Sequence, residues 1–552
     1  MGILSSPVSE VVGLDEKKLA ALKAFAFRLI PRVAFASLVA YCLIGAVVVA
    51  VGSTRLISNP WDNIYPEGSN VFVAIRAART GQLYFSFRES PYIVQCYGPL
   101  FYGIAAASAW AARLDMDLTV LIARLISYAC YLLCGVMVFA ICKRSRSSTF
   151  MALLAALMAL GQHDFFGWNV TVRPDTIMIL ATLVSLFFAI GADERSWRSY
   201  ALAGFSAGLA FLIKQPGLAV AIGVLAVLVL RKEFRKSAVF AAGAAVSVLL
   251  VFLALIWRKE VFLEQFTSVG RAYWSLAEGA RFVWNALQDL TYIVPLFLGL
   301  LGFLRAVKLN KQWQLIASFA LASGIVGLVG LPQPGSNVHY FLPGLVGSAL
   351  LLPLAYEFLW ERGRRILLLA MLVPALIFAT WQGIERTRGY YGFFKAPDNL
   401  SYAPLRPYRI ISDIPFLALK GHDPDLLDAF AMHSLELMRR WDSGPVVEQI
   451  RQGKYDLVIL KRLKPKVVFS PHVEVYKSVA NWRGVSEYGP AVVSAFNEYY
   501  DVFCASPFSV VLKPKGRHID LSPDYFSPMF TRPCGTGLAN KSPRLILAEG
   551  TR

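Results

Sequence analysis

The chain has 552 residues, of which 56% are hydrophobic and 16% charged, and its formal net charge is +19. A soluble domain is about one quarter charged, and no soluble fold could hide this much apolar surface. The excess Lys and Arg sit in short clusters between apolar runs, where they mark loops facing anionic lipid, so nucleic acid is excluded as a partner.

In chain order, residues 1–32 carry Lys17, Lys18, Lys23, Arg28 and Arg32 ahead of the first apolar run, with no small-residue cleavage site. This reads as an uncleaved cytoplasmic anchor. Apolar runs of about 14 to 25 residues then recur, most of them of the length needed to cross a ~30 Å hydrocarbon layer. They fall near 33–53, 118–142, 149–165, 176–192, 199–213, 217–230, 238–256, 291–307, 313–330, 341–360 and 366–383. Basic clusters at 143–146, 195–198, 231–236, 305–311 and 362–365 return to the side of the N-terminus, which the distribution of Lys and Arg makes cytoplasmic. Arg258 and Lys259 fall on the outer side, against that rule. The apolar stretch from Gly98 to Leu114 is expected to lie in the interface or to re-enter, because a full crossing there would turn Lys143, Arg144 and Arg146 outward.

The expected fold is an all-α polytopic membrane bundle of about eleven transmembrane helices over 33–383, in an inner (plasma) membrane, with a long first outer loop at 54–117. Beyond it the composition turns polar, and β-type runs appear at Leu457 to Leu460, Val467 to Ser470 and Phe508 to Leu512. Residues 384–552 are therefore expected to form an extracytoplasmic α/β domain. Cys504 and Cys534, in that polar tail, are either a disulfide or two free thiols; the other five cysteines lie in or beside apolar segments without a metal-binding spacing.

Polar residues gather on the expected outer side, and an ionisable group at a membrane boundary needs a use or a partner. The first loop reads Trp61-Asp62-Asn63-Ile64-Tyr65-Pro66-Glu67-Gly68, followed by Ser69 or Asn70 as a helix cap and an amphipathic helix with Arg76 and Arg79 on its polar side. Glu67 or Asp62 could take a proton from an attacking hydroxyl; otherwise Asp62 caps a turn and Glu67 balances Arg76 or Arg79. Arg173-Pro174-Asp175 stands between two spans: Arg173 can hold a phosphate and Asp175 can orient a hydroxyl, or the three residues are simply a helix start. Lys214-Gln215-Pro216-Gly217 ends an apolar helix, where the lysine either snorkels or stabilises a leaving phosphate. His339, within Asn337-Val338-His339-Tyr340-Phe341, is a phosphate contact, a metal ligand or a hydrogen-bonded boundary residue. No nucleotide-binding loop, serine elbow or paired-histidine zinc motif occurs.

These motifs, with Tyr65-Pro66-Glu67-Gly68, Thr80-Gly81-Gln82-Leu83-Tyr84 and Tyr97-Gly98-Pro99-Leu100-Phe101-Tyr102, resemble the GT-C glycosyltransferases that use polyprenyl-phosphate sugars, over about the first 350 residues. That group includes protein O-mannosyltransferases and lipid A aminoarabinose transferases. The resemblance implies transfer of a sugar, with inversion, from a polyprenyl-phosphate donor to a lipid, glycan or protein acceptor. By position it gives Glu67 the base role, Asp175 a second acidic role, and Arg173 and Lys214, with Gln215 and His339, the donor phosphate. Tyr97, Asn337 and Tyr340 are expected to line the substrate site. Many relatives have Asp-Glu where this chain has Pro66-Glu67, which leaves Asp62 as an alternative base. No soluble cofactor is expected, and a divalent metal is possible but has no clear ligand cluster. The competing expectations are a transporter or flippase of lipid-linked glycans, and a catalytically silent relative that binds lipid-linked sugar.

Overall fold

A computed structural model of the chain describes residues 16–526, apart from 60–61, 64–66, 192–195, 256–258, 269–274, 334–337, most of 362–401, 423–425, 462–487 and 506–508. The expected span at 366–383, Asn337, Cys534, Arg258 and the run at 467–470 thus lie largely or wholly outside the described residues.

The helices follow the apolar runs: α1 (Glu16–Ile57), α2 (Glu67–Thr80), α3 (Pro99–Ala111), α4 (Met116–Arg144), α5 (Thr149–Leu160), α6 (Asp175–Ile190), α7 (Trp197–Ile213), α8 (Leu218–Leu230), α9 (Phe234–Ala254), α10 (Lys259–Ser268), α11 (Leu276–Leu287), α12 (Leu290–Ala306), α13 (Lys311–Gly330), α14 (Leu342–Leu350) and α15 (Leu352–Glu361). Among the described residues, four helices are long and apolar enough to cross a membrane, and bent pairs raise the number to seven. Helices α6 and α8 are shorter apolar helices of the same bundle. Large apolar side chains such as Leu230, Leu249, Leu250 and Leu253 point outward, as they must where the surrounding solvent is hydrocarbon. Asp115 caps α4, Ser148 caps α5 and Asn310 caps α13 through side-chain acceptors, so these ends fall where sequence rules put them. Helix α3 has 13 residues, about 20 Å at 1.5 Å per residue, too short to cross; it packs beside α2.

Among the described residues, the basic clusters at 143–146, 231–236 and 305–311 lie at helix ends that contact neighbouring helix ends. Arg144 donates to the Gly191 carbonyl, Arg231 donates to Gln314, and Glu233 pairs with Lys236 and Lys311. The chain segments at 161–174, 214–217 and 331–341 connect the opposite ends of the same helices.

The C-terminal region has a four-stranded sheet, β1 (Ile410–Ser412), β2 (Leu457–Lys461), β3 (Tyr500–Ala505) and β4 (Ser509–Pro514), in the order β1-β2-β4-β3. Strands β1 and β2 are parallel and the other pairs antiparallel. Helices at Ala429–Leu437, Gly444–Arg451 and Pro490–Tyr499 accompany it. The first long loop enters this region. The Tyr92 carbonyl accepts from the Asp428 N–H, the Tyr92 N–H donates to the Leu426 carbonyl, and Phe87, Tyr92 and Val94 share a core with Ile411, Met432 and Phe496. The first loop and the C-terminal region therefore stand on one side of the bundle. Cys504 is disulfide-bonded.

Candidate active site

Helices α6 and α7 form an antiparallel hairpin, so the residue that starts one and the residue that follows the other meet at the same end. Those residues are Asp175 and Lys214. Lys214 Nζ lies 2.5 Å from Asp175 Oδ1, and Arg173 Nε lies 3.2 Å from Asp175 Oδ2. His339, delivered by the turn before α14, places Nε2 3.3 Å from Lys214 Nζ and 3.7 Å from Asp175 Oδ1. Aromatic rings wall the group. Trp168 stacks on the His339 ring with centroids 4.0 Å apart and lies 4.3 Å from the Arg173 guanidinium, while Tyr97 and Tyr340 stand over Lys214 at 5.8 and 4.9 Å. All four polar side chains are buried.

Asp175 meets both cations, Lys214 on one carboxylate oxygen and Arg173 on the other. A lysine ammonium can only donate, which makes His339 Nε2 the acceptor and leaves the ring proton on Nδ1. Buried Nδ1 has no hydrogen-bond partner among the described residues. Among the described residues two cations thus face one carboxylate and the His339 ring donor, in a buried aromatic setting that favours an anion.

Gln215 lies outside this cluster: its Nε2 donates to the Cys96 carbonyl at 3.0 Å and fixes the backbone just before Tyr97. Gly98 makes that placement possible. A Cβ there would sit 1.9 Å from the Leu212 carbonyl oxygen, so only glycine lets the loop lie against the end of α7.

Glu67 is not at an open mouth, and Ser69 and Asn70 do not begin its helix. Helix α2 starts at Glu67 itself, and Asn70 Nδ2 donates across to the Val172 carbonyl. The Glu67 carboxylate accepts from Arg124 Nε at 2.9 Å, Arg124 Nη2 at 2.8 Å, and the N–H groups of Asn63 and Val172 at 2.8 Å each. Both side chains of the pair are 0% exposed. Arg124 Nη1 also donates to the carbonyls of Leu56, Ile57 and Asn59, tying the end of α1 to α4. The partner of Glu67 is therefore Arg124, not Arg76 or Arg79, and both oxygens are engaged. Asp62 accepts from the Gly68 N–H at 2.5 Å and the Phe416 N–H at 3.1 Å, linking the first loop to the C-terminal region.

Two structural residues escaped the sequence reading. Arg124 sits inside an apolar run, and the rule that an intramembrane charge must be paired would have flagged it. Gln265 on α10 accepts from the Gln95 N–H at 2.7 Å and donates to the Phe85 and Ile93 carbonyls, clamping the loop that leads to Tyr97. No comparable signal marks a glutamine in a short helix. Among the described residues no three His, Cys, Asp or Glu side chains converge as a metal would need. Asp175 and His339 have the Lys214 ammonium between them, which would repel one.

Comparison with known proteins agrees with this architecture. The family model for dolichyl-phosphate-mannose-protein mannosyltransferases matches residues 105–257, a stretch that holds Arg124, Arg173, Asp175 and Lys214. In structure the chain is similar to ArnT from Cupriavidus metallidurans bound to undecaprenyl phosphate, with a TM-score of 0.52 at 12% identity, covering 86% of this chain and 97% of that one. It is similar to the apo state of the same protein with a TM-score of 0.51 at 12% identity, covering 85% and 98%. Sequence search against curated proteins finds no match. The chain is thus an integral membrane protein with the GT-C glycosyltransferase fold.

Proposed function

We propose that the chain is a membrane glycosyltransferase that moves a sugar from a polyprenyl-phosphate donor to an acceptor hydroxyl on the extracytoplasmic side, with inversion. The observation that carries this reading is the buried group of Arg173, Lys214 and Asp175 at the end of a helical bundle, in which, among the described residues, two cations converge on one carboxylate. The similar ArnT structure was determined with undecaprenyl phosphate bound, which supports the donor class. Arg173 and Lys214 receive the phosphate, His339 Nδ1–H donates to it, and Tyr97 and Tyr340 exclude water around it. The acceptor oxygen forms a bond to the anomeric carbon as the carbon–oxygen bond to phosphate breaks; the electron pair goes to the phosphate oxygen, where the cations stabilise it, and the hydroxyl proton passes to Glu67, once that carboxylate has exchanged Arg124 for the acceptor, or to water. A single displacement from the opposite face inverts the carbon.

Asp175 stands with the cations on the phosphate side, so it serves as their counter-charge. Glu67 and Asp62 position the first loop in this state, and Glu67, bonded to the Val172 N–H, sets the backbone beside Arg173. A base role for Glu67 requires it to exchange Arg124 for the acceptor hydroxyl. The acceptor is a lipid, glycan or protein, and we read the site and residues 384–552 as extracytoplasmic, a reading that the placement of the basic clusters in the sequence supports.

Purified protein in proteoliposomes, given radiolabelled polyprenyl-phosphate sugars and an envelope acceptor fraction, tests the reading. Label should appear on acceptor and fall by about 100-fold or more with Lys214→Met. Label that crosses the bilayer without transfer would overturn it in favour of a transporter, binding without any transfer in favour of a silent relative, and transfer indifferent to Lys214→Met would overturn the role given to the cation group.

A further inference from the structure

Helix α11 meets α12 at an angle of 87°, so when α12 runs across the bilayer α11 lies along its plane. Placed at about 100° per residue, its side chains divide into three sectors. Gly279, Phe282 and Ala286 face the protein and are buried; Phe282 and Ala286 pack with Tyr292, Leu331 and Phe341. Arg281 and Asn285 form a polar sector on the far side. Between them runs a third sector of Leu276, Ala280, Trp284 and Leu287, apolar and uncovered, with Leu276 77%, Trp284 63% and Leu287 55% exposed.

An apolar arc wider than the protein covers, on a helix held parallel to the membrane, has a natural neighbour. We infer that α11 is an interfacial helix whose Leu276, Trp284 and Leu287 are embedded in the acyl region of the leaflet on the site's side. Arg281 and Asn285 turn toward the headgroups and water, and Trp284 anchors the helix at the boundary, where an indole places its apolar body in lipid and its N–H in the polar layer. The partner is the lipid surface itself. Sequence places Trp284 in a stretch expected to be an outer loop, which gives no reason for so much exposed apolar area; the right-angle turn at 288–289 supplies it. The protein-facing sector then connects lipid to site, because Phe282 packs with Phe341 and Tyr340, the latter standing over Lys214. The cation group is thereby held against the leaflet at headgroup depth.

The test uses the full-length protein in phosphatidylcholine vesicles whose acyl chains are brominated either near the glycerol or near the methyl end. The quantity read is the tryptophan emission lost between wild type and Trp284→Phe. At the depth of about 5–10 Å expected of an interfacial helix, that emission should be quenched by glycerol-end bromine more than by methyl-end bromine and be shielded from aqueous acrylamide. In the Trp284→Phe background, Leu287→Trp should restore lipid quenching and Asn285→Trp should give a tryptophan that acrylamide reaches instead. Emission from Trp284 that acrylamide quenches and neither lipid does would overturn the inference, as would equal lipid quenching at positions 285 and 287.

Discussion

Replacing Arg124 with methionine removes two donors from the sealed Glu67 carboxylate and leaves only the Asn63 and Val172 N–H groups to hold it. Methionine restores most of the volume but no charge, so the effect is electrostatic. Removing one partner of a fully buried ion pair costs about 3–5 kcal/mol. The carbonyls of Leu56, Ile57 and Asn59 lose a donor as well. Against a typical margin of about 5–15 kcal/mol, Arg124→Met should lose a large part of the stability. Adding Glu67→Gln should return part of it, because the amide oxygen still accepts one N–H and no unpaired charge remains. Thermal unfolding of the purified single and double variants in one detergent gives the coupling directly. Arg124→Met within about 1 kcal/mol of wild type, or strict additivity in the double variant, would refute the claim that this pair fixes the first loop. Turnover sharpens the reading: a positioning pair predicts comparable losses for Arg124→Met and Glu67→Gln in folded protein, whereas a base predicts a far greater loss for Glu67→Gln alone.

Two further outcomes are expected. A Cβ on Gly68 would meet the Phe416 nitrogen and Pro415 Cβ at 2.8 Å, so Gly68→Ala should part the first loop from the C-terminal region, seen as faster amide exchange around 415–419; unchanged exchange there would contradict the contact. Gln265→Leu removes three bonds to the first loop, at about 1–3 kcal/mol for the groups left unsatisfied, and should weaken donor binding through Tyr97 without touching the cation cluster; unaltered stability and binding would argue against the clamp.

The membrane fold was legible because apolar length and the placement of Lys and Arg are local properties that lipid reads directly. The gathering of Arg173, Lys214 and His339 was legible for the same reason: each ends or begins a helix, and helical hairpins return such positions to one face. What stayed hidden depends on contacts distant in sequence. Arg124 pairs with Glu67 across 57 positions, and strand β3 is visible only through its pairing with β4. Glu67 looked open in sequence because nothing local shows that Val172, 105 residues away, closes over it. The Gln215 side chain similarly turns to the Cys96 carbonyl, a partner that only the packed loop reveals.

The central claim is that the Arg173, Lys214 and His339 group recognises the phosphate of a polyprenyl donor. Binding of radiolabelled undecaprenyl phosphate to the purified protein in nanodiscs, beside undecaprenol as the uncharged control, measures it most directly. The account predicts saturable binding of the phosphate alone, weakened about tenfold or more by Lys214→Met or Arg173→Met, since a charge-assisted bond is worth about 1.5–3 kcal/mol. Equal binding of undecaprenol, or full affinity in both variants, would contradict it.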